Sequence, residues 1–221
     1  MSETALERRV LRYRVPAGEA QSQLVIKHST FIGMVGRARS AETARVFIAR
    51  ARSAYPDASH HAWAFKITGG PQALIGSSDD GEPGGTAGRP MLAVLDASGL
   101  REVVAVATRY FGGIKLGRGG LVRAYSGVVR EALIRLATAE CVLHRVGRIT
   151  VSYALYGRLR SLLARYGVIV EEATFAEKVA MLLAVPYDHT GQVVELLRDL
   201  SSGQSALEEN WLGDRYYVSE G

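Results

Sequence analysis

Three carboxylates, Asp79, Asp80 and Glu82, crowd into four consecutive positions of the glycine-dense segment from Ser77 to Pro90. Carboxylates so close together could approach a hard cation or serve as general acid and base. The spacing lacks the alternating ligands of a calcium loop, however, and caps on turns or ion pairs with Arg89, Arg109 or Lys115 account for the same residues. No metal, cofactor or catalytic group is assigned from the sequence. Thr86 is expected to N-cap the short helix that follows.

A second glycine-dense segment, Thr108 to Tyr125, carries the opposite charge. Gly112, Gly113, Gly119 and Gly120 leave backbone N–H groups accessible, a helix beginning near Arg118 presents its positive end, and Arg109, Lys115, Arg118 and Arg123 add side-chain charge. Such a loop suits phosphate or a nucleic-acid backbone. It is not a nucleotide loop: after Gly117 comes Arg118-Gly119 instead of Lys-Ser/Thr, and Val122 stands where a dinucleotide fingerprint needs glycine. The competing explanation is that the glycines only permit tight strand-to-helix packing.

His60 and His61 open an alternating run, so their rings point to opposite faces and cannot readily chelate one ion together. One is expected to pack while the other faces the two loops. Proton transfer between a histidine and Asp79 or Glu82 lacks an accompanying nucleophile elbow. Trp63, Phe65 and Phe111 are expected in the core; Tyr110 is left open, as part of the cleft.

The elements that must position these residues follow from periodicity. Gln23–Lys27 and Thr30–Val35 predict strands. Ser40 caps a helix whose Ala44, Phe47, Ile48, Ala51 and Tyr55 recur at helical spacing until Pro56. His60–Ile67 alternates as a strand, Arg89–Ala97 predicts a short helix, and Glu102–Thr108 is apolar throughout, as in a strand covered on both faces. Leu121, Tyr125, Val128, Ala132 and Leu136 form one stripe of a long helix. Beyond residue 146, a strand through Ile149, Val151, Tyr153 and Leu155, a helix around Leu159 to Tyr166, a hairpin of Val168–Phe175 and Val179–Val185, a helix around Val193 to Leu200 and a last strand within Ala206–Val218 give the β-α-β-β-α-β order of a ferredoxin-like unit. The chain is expected to be α+β, with domains at 1–143 and 144–221.

At 221 residues and 48% hydrophobic content the chain can bury a real core. The single cysteine, Cys141, excludes an internal disulfide and reads as a core hydrophobe in a reducing compartment. Glu3 and Glu7 do not suit a signal or transit peptide, and no long apolar segment is present, so a cytoplasmic location without membrane contact is expected. The net charge of +5 is uneven. Residues 1–140 carry 19 basic against 12 acidic side chains, and residues 141–221 carry 8 against 10. The basic first half favours a polyanionic partner, although arginine-rich composition also has other origins.

Together with His60-His61-Ala-Trp-Ala64, the two glycine segments resemble the signature of the YigZ/IMPACT family, and the similarity runs from about Tyr13 to about Tyr217. Gly84 departs from the pattern where a serine-like residue is expected, and Arg118 where a small residue is common. The resemblance implies a first domain similar to the α/β sandwich of a small-subunit ribosomal protein and of elongation factor G domain four, and a second similar to that factor's ferredoxin-like domains. It also implies regulation of translational initiation under stress. Eukaryotic members engage a starvation-response kinase and its ribosome-associated activator partly through an additional N-terminal domain; this chain is expected to start directly with the shared domain, so that interaction is not carried over.

The leading expectation is a non-enzymatic binding protein contacting RNA or the ribosome. Arg109, Lys115, Arg118 and Arg123 would meet phosphates, and His60, His61, Asp79, Asp80, Glu82, Thr86 and Tyr110 would line the cleft. One alternative is a hydrolase of phosphorylated or nucleotide-like substrates using Asp79, Asp80, Glu82 and a histidine. Another is a module that docks a protein partner in the same cleft.

Overall fold

The computed structural model describes residues 10–67, 73–202, 207 and 211–218. Its secondary structure is mixed, and the fold is α+β. Two compact units divide at Glu140/Cys141: one is Arg14–Glu140, and the other joins the described residues before Arg14 to those from Cys141 onward. The grouping differs from the expected 1–143 and 144–221 chiefly at the start of the chain. The reason is pairing: β1 (Arg12–Pro16) hydrogen-bonds with β7 (Thr138–Val151), and the Leu143 N–H donates to the Leu11 carbonyl.

The Arg14–Glu140 unit is built on a five-stranded antiparallel sheet of β2 (Ala20–Ile26), β3 (Ser29–Arg37), β6 (Val103–Tyr110), β4 (His60–Ile67) and β5 (Leu74–Ser78), in that spatial order. Every residue from Val103 to Arg109 is buried, which accounts for the continuous apolar run of the central strand. Helix α1 (Ala41–Ala54) covers one face, its N-terminus fixed by a reciprocal Ser40–Thr43 cap, and Phe47, Ile48 and Ala51 pack with Phe65, Ile67, Val104 and Val106. On the other face, α2 (Gly88–Ala97) and α3 (Gly117–Ile134) bury Met91, Leu95, Leu121, Tyr125 and Val128 against Phe31, Ala62, Ala64, Ala105 and Ala107. Alternation along β4 thus supplies both cores. Trp63 is only partly buried and stacks on Phe65 at 5.6 Å.

In the second unit, β7, α4 (Tyr153–Ala164), β8 (Ile169–Phe175), β9 (Val179–Pro186), α5 (Thr190–Leu200) and β10 (Trp211–Val218) follow the expected βαββαβ order. The strands lie side by side as β10, β7, β9, β8, the arrangement of a ferredoxin-like fold. Leu159, Leu163, Val193 and Leu197 of the helices share a core with Ile149, Met181 and Leu183. Tyr153 and Leu155, expected in a strand, belong to α4: Ser152 accepts from the Leu155 N–H and starts the helix there. The expected start of the last strand, Ala206 and residues 208–210, lies outside the described residues except for Leu207. Cys141 is buried, and no described helix is long and apolar enough to cross a membrane.

Candidate site at the meeting of two glycine loops

All the candidate residues lie in the Arg14–Glu140 unit, at the ends of β4 and β6 and the starts of α2 and α3. Pairing of His60 with Arg109 and of Phe31 with Arg109 sets β4, β6 and β3 side by side there. Gly112 packs so closely on the β2–β3 turn that a Cβ would stand 2.1 Å from the His28 carbonyl carbon. Only glycine permits that approach.

The acidic loop is folded inward and each of its carboxylates has protein partners. Asp79 accepts hydrogen bonds from the N–H groups of Gly85, Ala87 and Gly88 at 2.7, 2.9 and 2.9 Å. It is therefore the cap of α2. Burial works against its charge, but the three N–H donors prevail and hold its carboxyl below the usual range. Thr86, expected as that cap, instead donates its hydroxyl to the Pro83 carbonyl at 2.6 Å and is buried. The helix starts one residue too late for its side chain to cap, Ala87 holding the N-cap position, and a carboxylate from across the loop takes the place. Asp80, at φ +48°, accepts from Arg52 at 2.6 Å and from the His61 N–H at 2.7 Å.

Glu82 is the deepest of the three. One oxygen, Oε1, accepts from Arg109 Nη1 at 2.7 Å and from the Tyr125 hydroxyl at 2.7 Å, with His60 Nε2 4.0 Å away. Burial, reinforced by the bond to Glu82, pushes the Tyr125 hydroxyl far above its ordinary pKa and keeps it protonated. Arg109 was expected to meet a phosphate. Its side chain is 6% exposed and engaged with Glu82 and with Ser29 Oγ, so its charge is spent inside the fold.

The two histidines do face opposite ways. His61 is buried with Nδ1 3.0 Å from Thr108 Oγ1, and burial lowers its pKa, with the Asp80 charge opposing. His60 turns to the acidic loop, with Nδ1 2.8 Å from the Asp80 carbonyl oxygen. Tyr110 is half-buried at the end of β6. Among the described residues, no three His, Cys, Asp or Glu side chains are grouped to hold a metal ion.

The basic loop is the opposite case. Lys115, Arg118 and Arg123 are exposed, as are Gly113 and Gly119, and Gly113 sits at φ +86°. Gly120 is half-buried against Leu116. Among the described residues no side-chain cap is seen on α3 and its first turn holds no acidic residue, so nothing there opposes the positive end of the helix. Arg118 Nη2 reaches across to the Gly84 carbonyl at 2.8 Å, joining the two loops. The arrangement thus pairs internally neutralised acids with outward-facing cations. Sequence reasoning missed Phe111, which is half exposed in this loop although expected in the core. It also missed the exposed turn residues Lys27, expected as the end of a strand, and His28, which lies between the two expected strands.

Fold and site together define a two-unit α+β protein with a basic, glycine-rich strand-to-helix loop supported by a buried ion pair. The description "Impact N-terminal domain" matches residues 27–133, and "Domain of unknown function (DUF1949)" matches residues 149–204. IMPACT family member YigZ of Escherichia coli (strain K12) is 36% identical over 195 residues, 87% of this chain and 95% of that protein. A Thermus thermophilus protein described as "IMPACT family member in pol 5'region" is 40% identical over 185 residues, 83% of this chain and 99% of its own. A crystal structure described only as that of a hypothetical protein aligns over 96% of this chain and 99% of its own, with 33% identity and a TM-score of 0.64. The chain belongs to the IMPACT family.

Proposed function

We propose that this protein is a non-enzymatic binding protein that contacts RNA or the ribosome through the N-terminal end of α3. The observation that carries the reading is the asymmetry of charge at the two loops. Asp79, Asp80 and Glu82 are satisfied by protein donors, whereas Lys115, Arg118 and Arg123 face solvent beside an uncapped helix end. Helix dipole, free N–H groups and three cations all favour phosphate oxygens, and exposed glycines let a backbone come close. The family resemblance, rather than the geometry, supports a setting in the regulation of translational initiation. The same partner-bound carboxylates give a hydrolase no free reactive set, so nothing in the geometry favours that alternative.

Co-sedimentation with ribosomal subunits and with mixed RNA tests the reading. The protein is expected to pellet at low salt, to be released as salt rises, and to stay in the supernatant as a folded Lys115→Ala/Arg118→Ala variant. Equal behaviour of variant and wild type would overturn it. Capture by RNA-free extract proteins through the same cleft would favour a protein partner.

A further inference from the structure

Phe111 leaves 50% of its surface exposed at the start of the basic loop, directly after β6. Its position is fixed from several sides. The Phe111 N–H donates to Ser59 Oγ at 3.2 Å, and the next N–H, that of Gly112, donates to Ser29 Oγ at 3.1 Å. Beneath it, the Arg109 guanidinium lies 5.3 Å from the centre of the Phe111 ring and 5.3 Å from that of the buried Phe31 ring, and Glu82 holds it there. An aromatic ring is therefore carried half out of the protein on a base that cannot easily move.

The surroundings indicate what such a ring meets. Gly112 and Gly113 follow it, so no neighbouring side chain on that side crowds the ring. Lys115 follows in the same loop and Arg118 in the first turn of α3, and the exposed Lys27–His28 turn, both residues at positive φ, lies against Gly112. One accessible ring among cations matches a nucleobase flanked by phosphates. Bases of a duplex are stacked on each other and give a single ring no entry.

We infer that Phe111 is a stacking platform for an unpaired base, and that the loop takes single-stranded RNA, with Lys115, Arg118 and the Lys27–His28 turn on the flanking phosphates. This rests on the polyanion reading above and narrows it. The buried Glu82–Arg109 pair then acts as a positioning device, holding the cation under the ring.

The test is binding of the full chain to a short uridine oligonucleotide, to an abasic oligonucleotide of the same length, and to an RNA duplex. Wild type, Phe111→Ala, Phe111→Tyr and Lys115→Ala/Arg118→Ala would be compared, with thermal melts to verify folding. Phe111→Ala is expected to weaken binding to the uridine strand by between about five-fold and about a hundred-fold, the range for losing one stacked base. It should leave the abasic strand, the duplex and the salt dependence unchanged, and Phe111→Tyr should retain wild-type affinity. If the abasic strand binds as tightly as the uridine strand and Phe111→Ala changes nothing, the stacking inference is overturned while the polyanion reading stands. If neither strand binds wild type, both fall.

Discussion

Arg109 and Glu82 meet at 2.7 Å with side chains only 6% and 3% exposed, so the strand that ends in the basic loop is locked to the acidic loop by a buried ion pair. Tyr125 of α3 shares the same carboxylate oxygen. A strand, a helix and the acidic loop thus converge on one atom. Removing the carboxylate would leave a guanidinium buried without a counter-charge. Glu82→Leu is expected to cost about 3–5 kcal/mol in denaturant unfolding, and Glu82→Leu/Arg109→Met to cost less than Glu82→Leu alone. A double variant at least as unstable as the single one would contradict the pairing.

Asp79 should give α2 a pH-dependent cap. Its carboxyl titrates lower in the folded chain than in the unfolded one, so the stability it contributes is present above the unfolded value of about 3.9 and disappears as pH falls through the folded value. Asp79→Ala is therefore expected to lose about 1–2 kcal/mol near neutral pH. The gap to wild type should close in strong acid. Unfolding curves for the two proteins that stay parallel down to pH 2 would refute the assignment.

Much of the scaffold was legible before the structure. The alternation from His60 matches β4 residue for residue, and the apolar run ending at Thr108 marks the central strand, because burial on one or two faces writes a direct period into the chain. The site was less legible. Arg109 sits in a charged, glycine-rich segment and reads as exposed; only its pairing with Glu82, 27 residues away, turns it inward. A shorter separation in sequence also hid the cap of α2, since Asp79 reaches N–H groups up to nine residues on. Phe111 was misplaced for the converse reason: an aromatic beside a buried strand reads as core unless the loop that holds it out is known. Capping by Ser152, a local signal available in the sequence, would have corrected the start of α4.

Glycines in the basic segment should divide into two classes. Gly112→Ala forces a Cβ to within 2.1 Å of the His28 backbone and is expected to cost at least about 3 kcal/mol, in the range of severe single-site defects. Gly119 lies in the first turn of α3, and among the described residues outside the helix's own backbone the nearest atom to an added Cβ is in the Arg123 guanidinium, 3.9 Å away. Gly119→Ala is expected to raise stability by about 0.5–1 kcal/mol. Thermal or denaturant unfolding of both variants decides the matter; similar losses in the two would mean that the Gly112 contact has been misjudged.

The most direct test of the polyanion site is the slope of log affinity against log salt concentration for a single-stranded RNA, measured for wild type and for Lys115→Ala/Arg118→Ala with folding verified. Each lost phosphate contact on a single strand flattens the slope by about 0.7, so the variant should be shallower by about 1.4 as well as weaker. Identical slopes, or no salt-dependent binding by the wild type, would contradict a phosphate site at the start of α3.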